Sequence, residues 1–588
     1  MTLYAAIPSI LALLASGLAG KAQADACHAP ATPVSQVQGS GEQSPLAGQR
    51  VTVEGIITLD SRQQGGFRGF YLQQADGETD NTPSTSEALF IHTARATGKA
   101  GHRVRVEGRV KEFHGLTELT GVQRIVDCGP AQYPEPVPIR LPWPDGDGTP
   151  EHLENMRVRV ANRLAVIDTY NLARYGELTL AAEPQPIPTE IMPPGPAAFD
   201  RQQQQDRQRL LLDDNRGLRY PDPLPWPPAA LRAPNSVRTG DTVTGLAGVL
   251  DYRFGAWRIQ PSTVPDFRAD SWRPVVPART PDATVRVMTL NLENYFNGNG
   301  QGAGFPTARG AQTPEQFRRQ TARLTATLQA PDPDVIAVSE IENDGHHEHS
   351  ALASLAQALG PHWHPVRAGD DSGSDAIQTA LLYRADRIAL DGPASRLMAG
   401  PYRQRGRRPL MQVLRPLERE TALRIVVPHF KSKACRGASG PDRDQEDGQG
   451  CYSHRRESAA RALVEWIANE PDAKKIAGTL ITGDLNSYAM EAPLTLLRQA
   501  GFRSMVHRFH PCTTRACPQT TFRYKGRHGS LDYALASSEL IPRVTGAWSW
   551  PVNAEEPSFL GYEEADTSVS TSPWRSSDHN PVIIDLAL

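Results

Sequence analysis

The spacing of apolar residues changes once along the chain, and the change predicts two kinds of fold. Before residue 270, apolar and polar residues alternate in short runs, which is typical of half-buried β-strands. From Thr284 onward, strand-like apolar runs alternate with segments of helical spacing. A proline-rich segment, residues 273–283, separates the two parts. We therefore predict an all-β N-terminal part followed by an α/β C-terminal part.

The clearest β pattern lies within the first 135 residues. Glycine and polar turn residues separate five short alternating segments, at residues 51–57, 69–73, 88–92, 104–110 and 116–119. Five short strands of this kind are typical of a small Greek-key barrel of the oligonucleotide-binding (OB) type. We predict such an OB-fold-like β domain for residues 25–135.

Aromatic and basic side chains alternate around the second of these strands, at Phe67, Arg68, Phe70 and Tyr71. Such groups can stack on the bases of a single nucleic-acid strand. The same rings also fit the buried face of a strand, and the alternation favours this core interpretation for Phe70 and Tyr71. The pattern thus allows a base-stacking surface without requiring one.

A linker rich in proline, glycine and aspartate, residues 136–149, leads into a second β-rich domain, predicted for residues 150–270. Alternating runs at residues 156–160 and 241–250 predict strands in this domain. Residues 183–235 are rich in proline and glutamine, and their apolar residues follow neither the strand period nor the helical period. We therefore expect a long irregular excursion between the strands.

Strands and helices alternate from residue 284 to 588, which predicts an α/β domain. One helix is marked by Thr313 as the cap and Pro314 at the first position, and others by helical spacing at residues 350–359 and 454–469. The apolar strands end in polar residues, at Asn291, Glu340, His429, Asp484 with Asn486, Asp532, and Asp578 with His579. Because α/β enzymes assemble their sites where strand ends meet, we expect these side chains to converge.

Four of the polar residues are oxygen donors suited to a metal ion. Glu340 and Asp578 carry carboxylates, and Asn291 and Glu293 can supply further oxygen atoms. Hard oxygen ligands favour Mg²⁺ or Mn²⁺ over zinc, with Ca²⁺ as a further candidate. Each of these residues also fits a structural role, such as a loop acid or a cap, when it is taken alone.

The remaining polar residues suit proton transfer and phosphate binding. His429 and His579 can carry protons near neutral pH, and Asp532 can orient one imidazole. Asp484 and Asn486 can hold the attacking water and a phosphate oxygen. Since Asp and Asn also favour turns for local reasons, an Asx turn after the strand explains these last two residues without any function.

Length and charge limit the possible functions. The chain has 588 residues, with 62 Lys and Arg residues against 65 Asp and Glu residues and a net charge of −3. This length requires more than one domain. Because the chain has no overall positive charge, contact with a polyanion must come from local basic clusters.

Residues 1–24 resemble an export signal, which predicts a secreted or periplasmic protein. The apolar run at residues 7–18 is too short to span a bilayer, and residues 22–24 form an A-x-A cleavage pattern. The segment departs from the usual pattern because no Lys or Arg precedes the apolar run. No later segment is long and apolar enough to predict a membrane anchor.

Six cysteines agree with export, because oxidising compartments favour disulfides. Six cysteines allow 15 connectivities. Proximity along the chain favours Cys435 with Cys451 and Cys512 with Cys517, which leaves Cys27 and Cys128 to bracket the first domain.

Six motifs of the C-terminal part, taken in order, resemble those of the endonuclease/exonuclease/phosphatase family, which has the DNase I-like fold. They are TLNLEN (289–294), VIAVSEIEN (335–343), PHFKSK (428–433), GDLNSY (483–488), LDYALAS (531–537) and SDHNPV (577–582). The resemblance covers residues 284–588 and implies a four-layer α/β sandwich. GFYLQ (69–73) and STSEALFIH (84–92) further resemble secreted bacterial nucleases with an N-terminal OB-like domain.

The resemblance implies a role for each site residue. Glu340 is the principal metal ligand, Asn291 and Asp578 lie near it, and Glu293 is a possible ligand of a second metal ion. His579 with Asp532 activates water, His429 protonates the leaving oxygen or steadies the phosphate, and Asp484 with Asn486 positions water and phosphate.

These roles predict a secreted metal-dependent nuclease that acts on DNA, with RNA as another possible substrate, and they imply no protein partner. Some family members have a tyrosine where this chain has His429, which leaves the substrate class less settled than the reaction. Two alternatives stay open, a phospholipid phosphodiesterase of the sphingomyelinase type and a non-catalytic extracellular nucleic-acid-binding protein. Trp548-Ser549-Trp550 is the candidate lipid-contacting segment for the first alternative.

Overall fold

A computed structural model describes residues 27, 29–144, 150–227, 236–369, 372–403, 406–470, 475–563 and 572–588. The predicted export signal, residues 1–24, lies outside these ranges. No helix among the described residues has the length and apolar character needed to cross a membrane.

The N-terminal strands form a closed five-stranded barrel, preceded by a short helix, α1 (Val34–Gln38). The strand order around the barrel is β1-β2-β3-β5-β4, and β1 pairs with β4 to close it. The strands are β1 (Arg50–Ser61), β2 (Gly69–Gln73), β3 (Ala88–His92), β4 (His102–Phe113) and β5 (Leu116–Pro130). Each predicted strand is present, and β5 is longer than expected. The OB assignment of this barrel stays a prediction.

The aromatic residues of β2 are core residues. Phe70 and Tyr71 are fully buried, Phe70 inside the barrel and Tyr71 against the next domain, where its hydroxyl donates to Asp251 Oδ2 at 2.9 Å. The core interpretation of these two rings is therefore confirmed, and neither ring offers a surface for base stacking.

A nine-stranded sheet follows, in the order β15-β12-β8-β9-β11-β14-β13-β7-β6. Its strands are β6 (Val137–Ile139), β7 (Arg157–Val160), β8 (Leu164–Asp168), β9 (Leu178–Ala181), β11 (Leu210–Leu212), β12 (Thr242–Thr244), β13 (Ala247–Arg253), β14 (Ala256–Pro261) and β15 (Asp266–Arg268). We call residues 150–270 the middle region. A buried apolar cluster that includes Trp143, Leu180 and Ile259 forms its core.

The segment expected to be irregular, residues 183–235, contains regular structure. It includes β10 (Gln185–Pro186), α3 (Pro188–Ile191) and α4 (Pro196–Arg207), after a short α2 (Leu172–Tyr175). The expectation was wrong because β10 and α3 pack on the C-terminal domain, so their apolar residues need not follow the period of a local core.

The C-terminal domain contains two six-stranded sheets, ordered β18-β19-β17-β16-β29-β28 and β20-β21-β22-β23-β27-β24. The first comprises β16 (Val285–Tyr295), β17 (Val335–Glu342), β18 (Trp363–Pro365), β19 (Ile377–Arg384), β28 (Val544–Ser549) and β29 (Val582–Leu586). The second comprises β20 (Ile388–Arg396), β21 (Leu410–Pro416), β22 (Ala422–Val427), β23 (Ile476–Asp484), β24 (Arg503–Ser504) and β27 (Asp532–Ala536).

Three apolar clusters make this domain a four-layer sandwich. One lies between the two sheets, and the others lie between each sheet and its helices. The helices are α5 (Pro314–Gln329) and α6 (Ala351–Leu359) on the first sheet, α7 (Ser453–Asn469) and α8 (Ala492–Gln499) on the second, and a short α9 (Met505–Phe509). The predicted cap at Thr313 is confirmed, because its side chain accepts from the backbone of Gln316, and Ser350 caps the next helix in the same way through Ala353.

The middle region is joined to the C-terminal domain by backbone pairing and ion pairs. Strand β10 pairs in parallel with β26 (Arg527–Gly529), which pairs with β25 (Phe522–Tyr524). Arg238 of the middle region, itself buried, lies 2.6 Å from the buried carboxylate of Glu556. The predicted division at residues 135, 150, 270 and 284 stays a prediction.

Three disulfides are formed, Cys27–Cys128, Cys435–Cys451 and Cys512–Cys517. These are the pairs that proximity along the chain favours, and the first joins the N-terminal segment to the end of β5.

A buried ion pair ties the first sheet to the linker before it. Arg286 on β16 binds both carboxylate oxygens of Asp585 on β29, at 2.6 and 2.8 Å, and its guanidinium also donates to the carbonyl of Pro277. Both side chains are almost completely buried. Removing one partner of such a pair leaves the other charge buried and uncompensated.

We predict that Asp585→Asn lowers the free energy of unfolding by about 3–5 kcal/mol, measured by urea unfolding. The control is Glu457→Gln, which removes an exposed pair with Arg461 and should change stability by less than about 0.5 kcal/mol. Equal effects of the two substitutions would show that Arg286 is not held by Asp585.

Candidate active site

The polar strand ends of both sheets meet at one edge of the sandwich. Asn291 of the first sheet donates from Nδ2 to Asp484 Oδ2 of the second at 3.2 Å. His429 Nε2 lies 3.3 Å from the same oxygen and 3.8 Å from Glu340 Oε1 of the first sheet. His579 contacts Asp532 at 2.7 Å. The expected convergence of these strand ends is therefore present.

A glycine brings the ends of β22 and β23 together. Gly483 has a φ of +151°, and a Cβ at this position would overlap the carbonyl oxygen of Pro428. The close approach lets residues 429 and 484 pair as a parallel bridge, with Phe430 N donating to Asp484 O at 3.0 Å. Strand β23 continues through Gly483 to Asp484. The strand needs glycine for close packing.

Asp484 is the centre of a hydrogen-bond network. Its Oδ1 accepts from the backbone of Asn486 at 2.8 Å, and its Oδ2 accepts from the Asn486 side chain at 3.0 Å. Burial alone would raise the pKa of Asp484, but the hydrogen bond and charge of His429, followed by the charge of His579, lower it to about 2. Asp484 is therefore a carboxylate at neutral pH, and it orients the groups around it.

Asp532 and His579 form a buried acid–imidazole pair. His579 Nδ1 lies 2.7 Å from Asp532 Oδ2, and the amides of Leu531 and Asp532 donate to Thr521, which fixes the strand end. Burial lowers the pKa of His579, but the carboxylates of Asp532 and Asp578 outweigh it and raise the pKa well above its ordinary value. Since Nδ1 is engaged by Asp532, Nε2 is the ring nitrogen left for proton transfer.

A second group of side chains at this edge consists mainly of carboxylates, those of Glu293, Glu340, Glu563 and Asp578. Burial raises the pKa of Glu293 to about 8; Arg575 opposes this shift, and the nearby Asp578, Glu563 and Glu340 add to it. One carboxylate oxygen of Glu293, Oε2, is buried and has no hydrogen-bond partner among the described residues. A cation among these acids would satisfy that oxygen and offset their repulsion.

The backbone around the carboxylates is also unusual. Glu293, Glu340 and Asn486 have φ values of 54°, 61° and 45°, in the left-handed region that residues other than glycine rarely adopt. Non-glycine residues in this region are concentrated at functional sites, where the surrounding structure enforces the conformation. These conformations therefore mark this edge as a candidate functional site. Its carboxylates are the hard oxygen ligands expected for Mg²⁺ or Mn²⁺.

A different set of potential metal ligands is formed by Asp484, Asp532 and His579, whose ligand atoms lie within 4.8 Å of one another. In this set His579 Nδ1 already bonds to Asp532, and Asp484 already accepts from two asparagines. These atoms are satisfied by hydrogen bonds, so the carboxylate group of Glu293, Glu340 and Asp578 is the better candidate metal site.

Sequence reasoning missed Arg407, which is buried against His429. Its Nη1 contacts both ring nitrogens of His429, Nδ1 at 2.8 Å, and its Nη2 donates to the carbonyl of Phe430 at 3.0 Å. The sequence signal was the pair Arg407-Arg408 just before the apolar strand β21. Asn553 was also missed; it donates to the carbonyl of His579 at 2.7 Å from a loop without a periodic pattern.

Comparison with known proteins identifies the domain that carries these residues. The model of the Endonuclease/Exonuclease/phosphatase family matches residues 288–579, a range that includes every polar strand-end residue described above. Residues 288–579 belong to this family. The DNase I-like α/β fold predicted for the C-terminal domain is thereby confirmed, and family members are hydrolases of phosphoester bonds. Residues 142–269 match a domain family of unknown function.

Several solved structures resemble the family domain. The catalytic domain of human Nocturnin with bound sulfate is 16% identical, covering 52% of this chain and 95% of that chain, with a TM-score of 0.35. A mannosyl-6-phosphatase from Bacteroides thetaiotaomicron is also 16% identical, covering 52% and 100%, with a TM-score of 0.35. D. rerio TDP2 complexed with a single-strand DNA product is 15% identical, covering 51% and 97%, with a TM-score of 0.32. A search of curated proteins found no significant match.

We predict that His579→Ala lowers the turnover of a phosphodiester substrate about a hundredfold or more, because a positioned proton carrier contributes on this order. The control is His347→Ala, which removes an exposed histidine. Circular dichroism should show both variants folded. Near-normal turnover by His579→Ala would mean that this histidine has no role in the reaction.

Proposed function

We propose that the protein is a secreted, metal-dependent nuclease that hydrolyses phosphodiester bonds of nucleic acid, with DNA as the preferred polymer. The observation that carries this proposal is the meeting of the two sheets at Asn291 and Asp484, which places a buried Asp532–His579 pair and His429 beside a group of carboxylates. This arrangement combines a proton acceptor, a hydrogen-bonding cradle and a cation site.

The carboxylates of Glu340, Glu293 and Asp578 would hold Mg²⁺ or Mn²⁺, with Ca²⁺ as a further candidate ion. Asn291 lies beside them, but both ends of its amide are already hydrogen-bonded, to Asp484 and to the backbone of Glu293. When bound, the ion offsets the negative charge that develops on the phosphate oxygens during in-line displacement.

Side chains of the protein transfer the protons and orient the water and the phosphate. His579, held by Asp532 through Nδ1, accepts at Nε2 the proton of the attacking water when its imidazole is neutral. A cation on Asp578 would weaken one of the carboxylate charges that raise the pKa of His579, which favours this neutral form. Asp484 and Asn486 orient water and a phosphate oxygen. His429, fixed between Asp484 and Arg407, protonates the departing oxygen or steadies the phosphate. Water attacks phosphorus directly, so no covalent intermediate forms.

Export is the second part of the proposal. Residues 1–24 would direct the protein to the periplasm or the exterior, and the three disulfides are consistent with an oxidising compartment. We propose no membrane anchor and no protein partner.

The phospholipid alternative is supported less well. Its candidate lipid-contacting segment, Trp548-Ser549-Trp550, lies on and just after β28, with Trp550 buried and Trp548 packed against the core. A bilayer-contacting segment needs exposed apolar side chains. The non-catalytic alternative is disfavoured because the acid–imidazole pair and the carboxylate group are both present.

We predict that excess chelator abolishes cleavage and that Mg²⁺ or Mn²⁺ restores it. The assay compares circular DNA, linear DNA, RNA and sphingomyelin, with His579→Ala as the control for a contaminating nuclease. Full turnover in excess chelator would contradict the proposed metal dependence. Hydrolysis of sphingomyelin but of neither nucleic acid would replace the proposed substrate with a phospholipid.

A further inference from the structure

A cleft of about 420 Å³ opens beside His429 and is used by none of the steps above. Its lining includes four basic side chains and one acidic side chain, namely Arg309, Arg407, Lys431, Arg455 and Asp375. The basic residues come from four separate segments of the chain. Their convergence is therefore produced by the fold and not by a local run of basic sequence.

The cations of the cleft are held at defined positions. Arg407 is fixed by His429 and Phe430, and Lys431 lies with its Nζ 4.8 Å from the centre of the Tyr452 ring. Arg455 belongs to the first turn of α7. A cluster of fixed cations needs little reorganisation to receive an anion.

The positive charges of the cleft exceed its negative charges. Asp375 is shared by two arginines, at 3.5 Å from Arg309 and 3.7 Å from Arg407. Burial lowers the pKa of Lys431, and the neighbouring charges of Arg407 and Arg455 lower it further. An anion in the cleft would offset this repulsion between like charges.

We propose that this cleft binds a second phosphate group of the substrate strand, next to the phosphate that is cleaved. The inference rests on the proposed function, and His429, which borders both the cleft and the catalytic carboxylates, connects the two. The second phosphate is either an internal one of the backbone or a terminal one. Either source presents the same chemistry to Lys431 and Arg455.

The test compares Lys431→Ala and Arg455→Ala with the parent protein on two kinds of substrate. An oligonucleotide has neighbouring phosphates, whereas bis(p-nitrophenyl) phosphate has one. We expect KM for the oligonucleotide to rise about tenfold, because removing a cation that contacts a phosphate weakens the binding of every sequence. The rise for the single-phosphate substrate should be several-fold smaller. The slope of log K against log salt should fall by about one for each cation removed.

Arg461→Ala is the matched control, because it removes an exposed arginine from the same helix, α7. Oligonucleotides with and without terminal phosphates distinguish the two sources of the second phosphate. An effect confined to the phosphorylated ends would assign the cleft to a terminal phosphate. Equal rises in KM for the oligonucleotide and for bis(p-nitrophenyl) phosphate would overturn the proposal. The same rise in KM from Arg461→Ala would also overturn it.

A binding measurement distinguishes a failure of the cleft proposal from a failure of the proposed function. The Kd of a labelled oligonucleotide for the His579→Ala protein is measured by fluorescence anisotropy, with and without Lys431→Ala. We expect Lys431→Ala to raise this Kd about tenfold, whether or not the parent protein cleaves DNA. An unchanged Kd would overturn the cleft proposal even if the parent protein is an active nuclease.

A separate observation concerns the middle region, whose segment 185–191 lies against the loop that follows Asn486. The carboxylate of Glu190 is fully buried and accepts from the backbone of Ala489 at 3.1 Å and contacts His507 at 2.9 Å. Thr189 accepts from the backbone of Met490 at 2.9 Å through its carbonyl. The loop is thus bonded at consecutive residues to a different part of the chain.

The same segment reaches a second active-site loop. Thr189 donates from its hydroxyl to Glu491 at 2.9 Å, and Glu491 binds Lys433 of the His429 loop at 2.6 Å. Glu491 is completely buried, so these contacts are made out of water, where they are stronger. Thr189 therefore joins the loops that carry Asn486 and His429.

We infer that Thr189 and Glu190 are positioning residues, and that the middle region is part of the catalytic unit. They act through the loop after Asn486 and touch no reacting atom. This inference rests on the proposed function but not on the cleft. Displacing catalytic groups by about 1 Å can cost up to a hundredfold in rate.

The test is Glu190→Ala, with Glu190→Gln as the conservative variant that keeps an oxygen acceptor for Ala489. We expect kcat on an oligonucleotide to fall about tenfold or more with KM nearly unchanged, and Glu190→Gln to restore most of it. Glu183→Ala, which removes an exposed carboxylate just before this segment, is the control. Thr189→Val tests the second contact if Glu190→Ala does not fold.

Hydrogen exchange gives a readout that does not depend on activity. The amide of Ala489 should exchange faster in Glu190→Ala than in the parent protein, while amides of β1 and β4 are unchanged. A folded Glu190→Ala protein with parental kcat would overturn the positioning role. An inactive parent protein with the expected change in exchange would contradict the proposed function and leave the loop contact established.

Discussion

The close approach of β22 and β23 at Gly483 is the constraint on which the catalytic edge depends. A side chain at residue 483 would collide with Pro428, so only glycine lets the two strand ends come into register. On its other side β23 pairs with β27, which places Asp484 directly opposite Asp532. One strand thus aligns His429 on one side and the Asp532–His579 pair on the other. Asn291 then joins this sheet to its partner sheet through Asp484.

Charge is distributed around that edge in two opposed groups. Glu293, Glu340 and Asp578 form the proposed cation site, and the cleft beyond His429 is lined mainly by arginine and lysine. The whole chain has a net charge of −3, so attraction of a polyanion must be local. A metal site beside a basic cleft fits a substrate with several phosphates better than it fits one with a single buried phosphate.

Sequence reasoning located the residues that converge at the candidate site because each lies at the end of an apolar strand, and the strand pattern is local. It could not locate Arg407 as a partner of His429, because the contact joins residues 22 positions apart, one before β21 and the other after β22. The same limit applies to residues 185–191, whose partners lie about 300 residues away. The role of Gly483 could not be predicted either, because its need for close packing appears only when Pro428 is placed beside it.

The DNase I-like domain was predictable as a whole from six ordered motifs, whereas the contribution of the middle region was not. Its proline- and glutamine-rich segment has no single apolar period because its parts pack on different domains. Ile187 packs against Tyr488 and Leu531 of the C-terminal domain, whereas Leu210 and Leu212 pack in the core of the middle region. Burial of Glu190 and Thr189 at this contact follows from tertiary structure alone.

Direct attack of water on phosphorus is the central chemical claim, and the stereochemical course at phosphorus tests it most directly. A single turnover of a dinucleotide phosphorothioate of one configuration in water enriched in ¹⁸O should place one ¹⁸O atom in the product with inversion at phosphorus, because a single in-line displacement inverts this centre. Retention of configuration would contradict this mechanism, because it requires two displacements and therefore an intermediate bound to the protein.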